Sequence, residues 1–269
     1  MPQFTDQMGN TITLEGTPKR IVSLVPSQTE LLFDLGLDEH IVGLTRFCVH
    51  PAGKKKEKKN VGGTKQAHYD RIAAIQPDLI IGNKEENQQE QIEYLQQHYP
   101  IWMSDIKTLD DSLEMMRLLG ELTGTSAKAQ SIITQVKQDF SAFKSRLERP
   151  LKTAYFIWKK PYMAAGGDTF INDMLKRCGF NNVFEPDTRY PEVGVDQLKQ
   201  LNPELILLSS EPYPFKDKHI AELKAELPNA IIKLVDGELF SWYGSRLLHS
   251  AKYFSELIGE VNEDINRRV

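Results

Sequence analysis

Two cysteines in 269 residues, Cys48 and Cys178, are too few and too far apart for a disulfide framework or a zinc-finger spacing. They fit a reducing compartment without proving one. An excess of charge of one sign is also lacking. The net charge is -4 and the pI about 5.9, which leaves no basic field for a nucleic acid. The one basic block, "KKKEKK" at 54–59, reads as a solvated loop. No apolar run approaches the roughly 20 residues that span a bilayer. Residues 1–20, "MPQFTDQMGNTITLEGTPKR", carry no apolar core of a secretory leader. The expectation is therefore a chain that stays in the cytoplasm or one whose leader has been removed. Six scattered histidines give little support to a binder of free divalent metal.

What is present is an ordinary globular composition, 40% hydrophobic and 26% charged, in a chain long enough for one or two domains. Short apolar runs alternate with helical patterns. Strands are predicted at 20–25, 41–46, 78–82 and 101–104, with helices at 27–35, 70–75 and 86–97. Strands that are aliphatic throughout, separated by helices, argue for a parallel sheet covered on both faces. A second set follows: strands at 153–158, 205–209 and 230–235, and a helix at 168–178 closed by Gly179 as the first is closed by Gly36. "DRIAAIQPDLII" at 70–81 and "DQLKQLNPELIL" at 196–207 share an opening aspartate, apolar third and sixth positions, and a proline, an acid and aliphatics in order. Convergence on a helix–proline–strand connection would explain one such match. With matching elements on both sides, the pattern reads as internal duplication. Between the halves, 125–150 has no glycine, and Ile132, Ile133, Val136, Phe140, Phe143 and Leu147 recur at helical steps. This predicts one helix of about six turns, roughly 35 Å. The expected organisation is an α/β lobe at 1–123, a connecting helix at 124–150 and a second α/β lobe at 151–269.

The segments "PKRIVSLVPSQTELLFDLGL", "VGLTRFCVHP", "VGGTKQAHYDRIAAIQPDLIIG", "AAGGDTFINDMLKRCGFNNVF", "YPEVGVDQLKQLNPELILL" and "SWYGSRLLHSAKYFSELIG" together resemble the helical-backbone substrate-binding proteins of ABC transporters. This class captures vitamin B12, ferric siderophores, haem and some metal ions. The resemblance covers essentially the whole chain. It implies two parallel-sheet lobes joined by one long helix, and ligand in the cleft between them. It implies a small-molecule ligand (corrinoid, ferric siderophore or haem), with no cofactor required and no catalytic set. It also implies an ABC permease and ATPase as partners, an extracytoplasmic location, and a monomer. The competing reading is a cytoplasmic enzyme or metal-handling protein of the same fold, working through Cys48 and His50.

Open parallel sheets take ligands beyond the carboxyl ends of their strands, and the unusual residues stand at such ends. Ser27 follows the first strand, and reads either as a ligand contact or as an N-cap in a capping box with Glu30. "RFCVHP" supplies Phe47, Cys48 and His50. Cys48 and His50 share a face if extended and form a soft metal pair. A third ligand would come from Glu85, Glu86 or His68. A nucleophile–base pair, or a buried cysteine beside a polar histidine, are the other readings. "GGTK" at 62–65 lets backbone approach a ligand and then offers Thr64 and Lys65. The family's B12 binder has an aromatic residue where this chain has Thr64, so the resemblance points to a smaller or more polar ligand than a flat corrinoid. "NKEEN" at 83–87 offers Lys84, Glu85 and Glu86 to an anion or a metal ion, or is a solvated helix start.

The second half offers Met163, Arg189 and Tyr190. "FSWYGSR" offers Trp242 and Tyr243 as ligand-flanking aromatics or as core, and Arg246 as a contact or as part of the next helix. In the family, an acid on the outer tip of each lobe pairs with permease arginines; the matching positions are Asp70 and Asp196. Aspartate stands where glutamate is usual, which shortens the reach, and exposed N-caps are the alternative.

Overall fold

The chain begins with a short antiparallel ribbon, β1 (Gln3–Thr5) against β2 (Thr11–Thr13). In this computed structural model, which describes residues 1–267, Asp6 closes the ribbon by accepting the Met8 and Asn10 amides at 2.9 and 2.8 Å. The elements that follow are β3 (Ile21–Ser23), α1 (Pro26–Asp34), β4 (Ile41–Leu44), β5 (Lys59–Asn60), α2 (Tyr69–Ile75), β6 (Leu79–Asn83), α3 (Gln89–Gln96), β7 (Ile101–Ser104) and α4 (Leu109–Leu122). Then come α5 (Ser126–Ala142), β8 (Leu151–Trp158), β9 (Tyr162–Ala164), α6 (Phe170–Arg177), β10 (Phe180–Asn182), β11 (Glu192–Val193), α7 (Val195–Leu201), β12 (Leu205–Ser209), α8 (Asp217–Glu226), β13 (Ile231–Val235), α9 (Gly237–Ser241) and α10 (Leu247–Asn266).

The chain divides into two compact units. One holds Met1–Ile106, Asp110–Val136 and Tyr243–Arg246. The other holds Lys107–Leu109, Lys137–Trp242 and the chain from Leu247.

In the first unit the strands run parallel in the order β5-β4-β3-β6-β7. Every residue of β3, β6 and β7 is buried, largely aliphatic along the strands and polar only at Ser23, Asn83 and Ser104 on their carboxyl ends, so no polar alternation survives. One face packs Val22, Ile80, Ile101 and Met103 against Ile72 of α2 and Ile92 and Leu95 of α3. Each such side chain contributes roughly 1.5–3 kcal/mol on burial. Helix α1 starts with Pro26 at its first position, where a missing amide proton costs no hydrogen bond. The expected capping box is not formed. The N-cap is Val25, Ser27 is a buried second residue, and Glu30 turns to Arg246 instead. Pro26 fixes the helix start two residues earlier than a Ser27 cap would. Gly36, at φ 85°, ends the helix where a Cβ would be strained.

The second unit repeats the plan. The parallel strands β10, β8, β12 and β13 lie in the order that β4, β3, β6 and β7 take in the first. Helices α2 and α7 each span 7 residues. Each ends on a left-handed residue, Gln76 at φ 43° and Asn202 at φ 47°, just before a proline and a buried strand. The duplicated segments are thus the same helix–turn–strand unit. The second unit adds β9 and β11, antiparallel to their neighbours.

The helix expected over 124–150 stops at Ala142. Its last residues are replaced by tertiary partners. Ser145 Oγ donates to the Cys178 carbonyl at 2.8 Å, Asn262 donates to the Arg146 carbonyl at 3.2 Å, and Arg149 pairs with Glu204. Pro150 disfavours helix at the residue before it, so the final stretch has little helical drive of its own.

Candidate functional site

In the first unit, loops leaving β4, β5 and β6 gather at the carboxyl edge of the sheet. The β4 loop turns tightly: the Cys48 amide donates to the Thr45 carbonyl at 3.1 Å and the Phe47 amide to Thr45 Oγ1 at 3.4 Å. The turn sends Phe47 outward, 48% exposed, and Cys48 inward, 1% exposed. Cys48 Sγ lies 3.1 Å from Thr29 Oγ1 and 3.3 Å from Thr45 Oγ1, and burial pushes its thiol up. A buried, protonated thiol is neither a metal ligand nor a nucleophile. The soft metal pair and the nucleophile–base pair expected of Cys48 and His50 are corrected accordingly. His50 is half-buried, and its charge acts on Glu30. Among the described residues no three His, Cys, Asp or Glu side chains gather to hold a metal ion. Cys178 is fully buried too. In the folded protein both thiols are expected to react with an aromatic disulfide reagent at least a hundredfold more slowly than in denaturant, a difference read by absorbance. Rapid native labelling at Cys48 would show that the β4 loop opens.

The loop after β5 is built on Gly62, whose φ of 116° suits glycine. A Cβ there would run into the Gln66 carbonyl and the His68 ring. The Gly62 carbonyl accepts the Arg46 amide at 2.8 Å, and the Gly63 amide donates to the Gln66 carbonyl at 2.8 Å. Gln91 on α3 fastens the same loop from outside. It accepts the Ala67 amide at 2.8 Å and donates to the Lys65 carbonyl at 2.6 Å. Asn87 donates to the Thr64 carbonyl at 3.0 Å. Gly63 has no side chain to hold Phe47 and Arg46 away: a Cβ would stand 3.3 Å from Phe47 Cε2 and 3.4 Å from Arg46 Nη2.

These loops surround a cavity of about 600 Å³, lined by Arg46, Phe47, Gly63, Thr64, Lys65, Gln66, Gln88 and Gln91. The Arg46 guanidinium stacks over the Phe47 ring, 4.9 Å from its centroid. Phe47, Thr64 and Lys65 are residues the sequence singled out. Arg46, Gln66, Gln88 and Gln91 were not. Only the adjacency of Arg46 to Phe47 hinted at the first. The glutamines look like the solvated face of a polar helix and loop.

The β6 loop stands beside this cavity. Asn83 Oδ1 accepts the Glu85 and Glu86 amides at 2.8 and 3.1 Å, and Lys65 Nζ donates to the Glu85 carbonyl. The Glu86 carboxyl is pushed up by burial and by Glu85, against the pull of Lys65. Lys84 pairs with Asp105 at 2.6 Å.

The remaining candidates lie elsewhere. In the first unit, Tyr243 is buried, and Arg246 forms a two-point ion pair with Glu30, at 2.9 and 2.6 Å. In the second, Trp242 is buried, and its indole N–H donates to Glu211 Oε1 at 2.8 Å, an oxygen also bound by Ser241 Oγ at 2.8 Å. The core alternative for the two aromatics matches that burial. Met163 is half-buried on β9 opposite Glu192. Arg189 is exposed at φ 56°, its amide bound to Asp168 and its carbonyl to the Gly166 amide, and Tyr190 beside it is half-buried. Asp70 and Asp196 are exposed second residues of α2 and α7. The N-caps are His68 and Gly194, so the N-cap alternative for both aspartates is corrected.

Residues 21–228 match the periplasmic binding protein family. A vitamin B12-binding protein of Vibrio parahaemolyticus is 28% identical over 226 residues, covering 81% of each chain. An uncharacterized ABC transporter substrate-binding lipoprotein of Bacillus subtilis is 24% identical, covering 94% of this chain and 84% of its own. The crystal structure of the periplasmic vitamin B12 binding protein of Vibrio cholerae has the same fold, with a TM-score of 0.76 at 22% identity over 91% of this chain and 98% of that one.

Proposed function

Because the chain belongs to the periplasmic binding protein family, we propose that it is the extracytoplasmic substrate-binding component of an ABC importer, capturing a cofactor or metal chelate for delivery to a permease. The observation that carries this reading is the cavity at the carboxyl edge of the first sheet. Its volume of about 600 Å³ suits a small-molecule ligand, and its lining, one exposed aromatic among mostly polar groups, suits a polar one. The names of the relatives support an importer and a corrinoid ligand; a ferric siderophore or haem is the alternative metal chelate. No turnover is assigned to the site. No helix among the described residues is long and apolar enough to cross a membrane.

Titration calorimetry against cobalamin, haemin, ferric siderophores and molybdate tests the reading. One-to-one binding of a chelate at micromolar concentration or tighter is expected; no heat from any of them would count against it. The docking role is tested separately. Asp70 and Asp196 each sit exposed on the equivalent helix of their own unit. Charges at an interface rim chiefly set the rate of encounter. The double variant Asp70→Lys, Asp196→Lys is expected to slow association with permease vesicles by roughly tenfold at low salt, with ligand affinity unchanged. An unchanged rate would remove both aspartates from the interface.

A further inference from the structure

The cavity beside β4 and β5 is one-sided in its chemistry. Arg46 and Lys65 face it, and none of its lining residues is a carboxylate. Among the described residues neither cation is in an ion pair. The Arg46 guanidinium rests on the Phe47 ring, and Lys65 spends one of its protons on the Glu85 carbonyl. Glu86 is the acid whose charge acts on Lys65, but it makes no ion pair with it among the described residues. Several other cations do take carboxylates: Lys54 and Lys58 share Asp38, Arg117 takes Glu114 and Glu121, and Arg149 takes Glu204. At the cavity wall Arg46 and Lys65 thus keep their charge without a carboxylate partner among the described residues.

The neutral donors point the same way. Gln88 accepts from Gln91 through its carbonyl oxygen, and its amide hydrogens meet no protein acceptor among the described residues. The side chains of Gln66 and Thr64 are likewise unengaged among the described residues. The wall is fixed before any ligand arrives. Gln91 and Asn87 hold the loop that carries Thr64 and Lys65, and Gly62 carries the Arg46 amide. Such a wall loses little freedom on binding. A cavity rich in donors and poor in acceptors leaves a ligand's own donors unsatisfied and rewards its acceptors.

We propose that this wall is an oxyanion seat: Arg46 and Lys65 grip a carboxylate or phosphate on the chelate, while the outer face of Phe47 covers its apolar part. The proposal rests on reading the chain as a chelate-binding protein, and narrows the ligand to an anionic chelate over a charge-neutral one. Arg46 offers the two-point grip that a planar oxyanion takes, and Lys65 a single point charge.

The test separates the seat from the broader function. Citrate and pyrophosphate, titrated into the ¹⁵N-labelled protein, are expected to shift the Arg46 side-chain signal and the amides around Thr64, Lys65 and Gln88, with an affinity on the order of 1 mM. In Arg46→Gln, Lys65→Gln those shifts should vanish. Both side chains are exposed, so the fold should be retained, as circular dichroism would show. Arg46→Lys should keep part of the response, because the charge remains. Wild type should also bind haemin at least tenfold more tightly than its dimethyl ester, or show the same preference for another anionic chelate over a neutral one. No shift at this wall with either oxyanion overturns the seat. A chelate bound equally well by wild type and the double variant overturns it too, while leaving the importer reading standing. Oxyanion shifts at the wall without binding of any chelate would support the seat and refute the importer reading.

Discussion

Arg246→Met is expected to lower folding stability by about 3 kcal/mol at pH 8 and by distinctly less at pH 5. Arg246 and Glu30 face each other with side chains only 14% exposed. Burial raises the Glu30 carboxyl above its ordinary value of 4.5, even though Arg246 pulls it down by charge and hydrogen bonding. A carboxyl with a raised folded value holds its proton more tightly when folded. Its ionised form therefore costs stability above that value, and the cost fades as pH falls toward 4.5. Removing Arg246 takes away the largest opposing influence. The folded value climbs further, and the window in which the buried charge is destabilising widens upward in pH. At pH 5 the variant can protonate Glu30 cheaply; at pH 8 it cannot. Denaturant unfolding at the two pH values measures the difference. An equal loss at both would mean that Glu30 reaches water once its partner is gone. Gly244, two residues earlier, donates its amide to Ser112 Oγ at 3.1 Å, so the variant also probes how firmly this short segment is held.

The second large effect is expected at Gly62. Gly62→Ala places a Cβ against the Gln66 carbonyl and forces alanine to φ 116°. The strain costs on the order of 2 kcal/mol, and the loop escapes it by moving. Movement carries Thr64 and Lys65 away from the cavity, so ligand affinity should fall at least tenfold. Gly9→Ala is the control. Gly9 has a similarly positive φ, 84°, but nothing lies within 4 Å of the added carbon. It should show the backbone penalty alone and bind normally. Equal binding by the two variants would detach the 62–67 loop from the ligand site.

The parts of the fold that the sequence disclosed are those in which burial leaves a pattern. Strands β6 and β12 are buried on both faces, so "LII" and "LILL" stand out as uninterrupted aliphatic runs. The glycines at 36 and 179 mark helix ends because only glycine accepts those dihedrals without strain. Strands β5, β10 and β11 are two or three residues long and carry no periodicity. Helix α4 carries a signal of its own, with Asp110 and Asp111 opening it and Leu109, Leu113, Met116 and Leu119 buried at helical steps, in a stretch outside the strand–helix pattern read above. Helix α5 fell short because the apolar period continues past Ala142 while Ser145 bonds to the Cys178 carbonyl and Asn262 takes the Arg146 carbonyl.

At the site, Phe47, Thr64 and Lys65 were legible because glycines and an aromatic in strand-end loops are locally unusual. Arg46, Gln88 and Gln91 were not, since their role comes from three distant loops meeting at one sheet edge. Trp242 shows what the sequence leaves open. An aromatic in a loop reads as a ligand contact or as core, and the Glu211 carboxylate that takes its indole N–H has no local signal in the sequence.

The central claim is that the first unit takes a chelate at the loops that follow β4 and β5. Amide hydrogen exchange, followed with and without a saturating chelate, tests it most directly. The account predicts slowed exchange at 46–48 and 62–67, with the β1–β2 ribbon unchanged. A chelate that binds tightly yet leaves both loops exchanging at their free rates would contradict it.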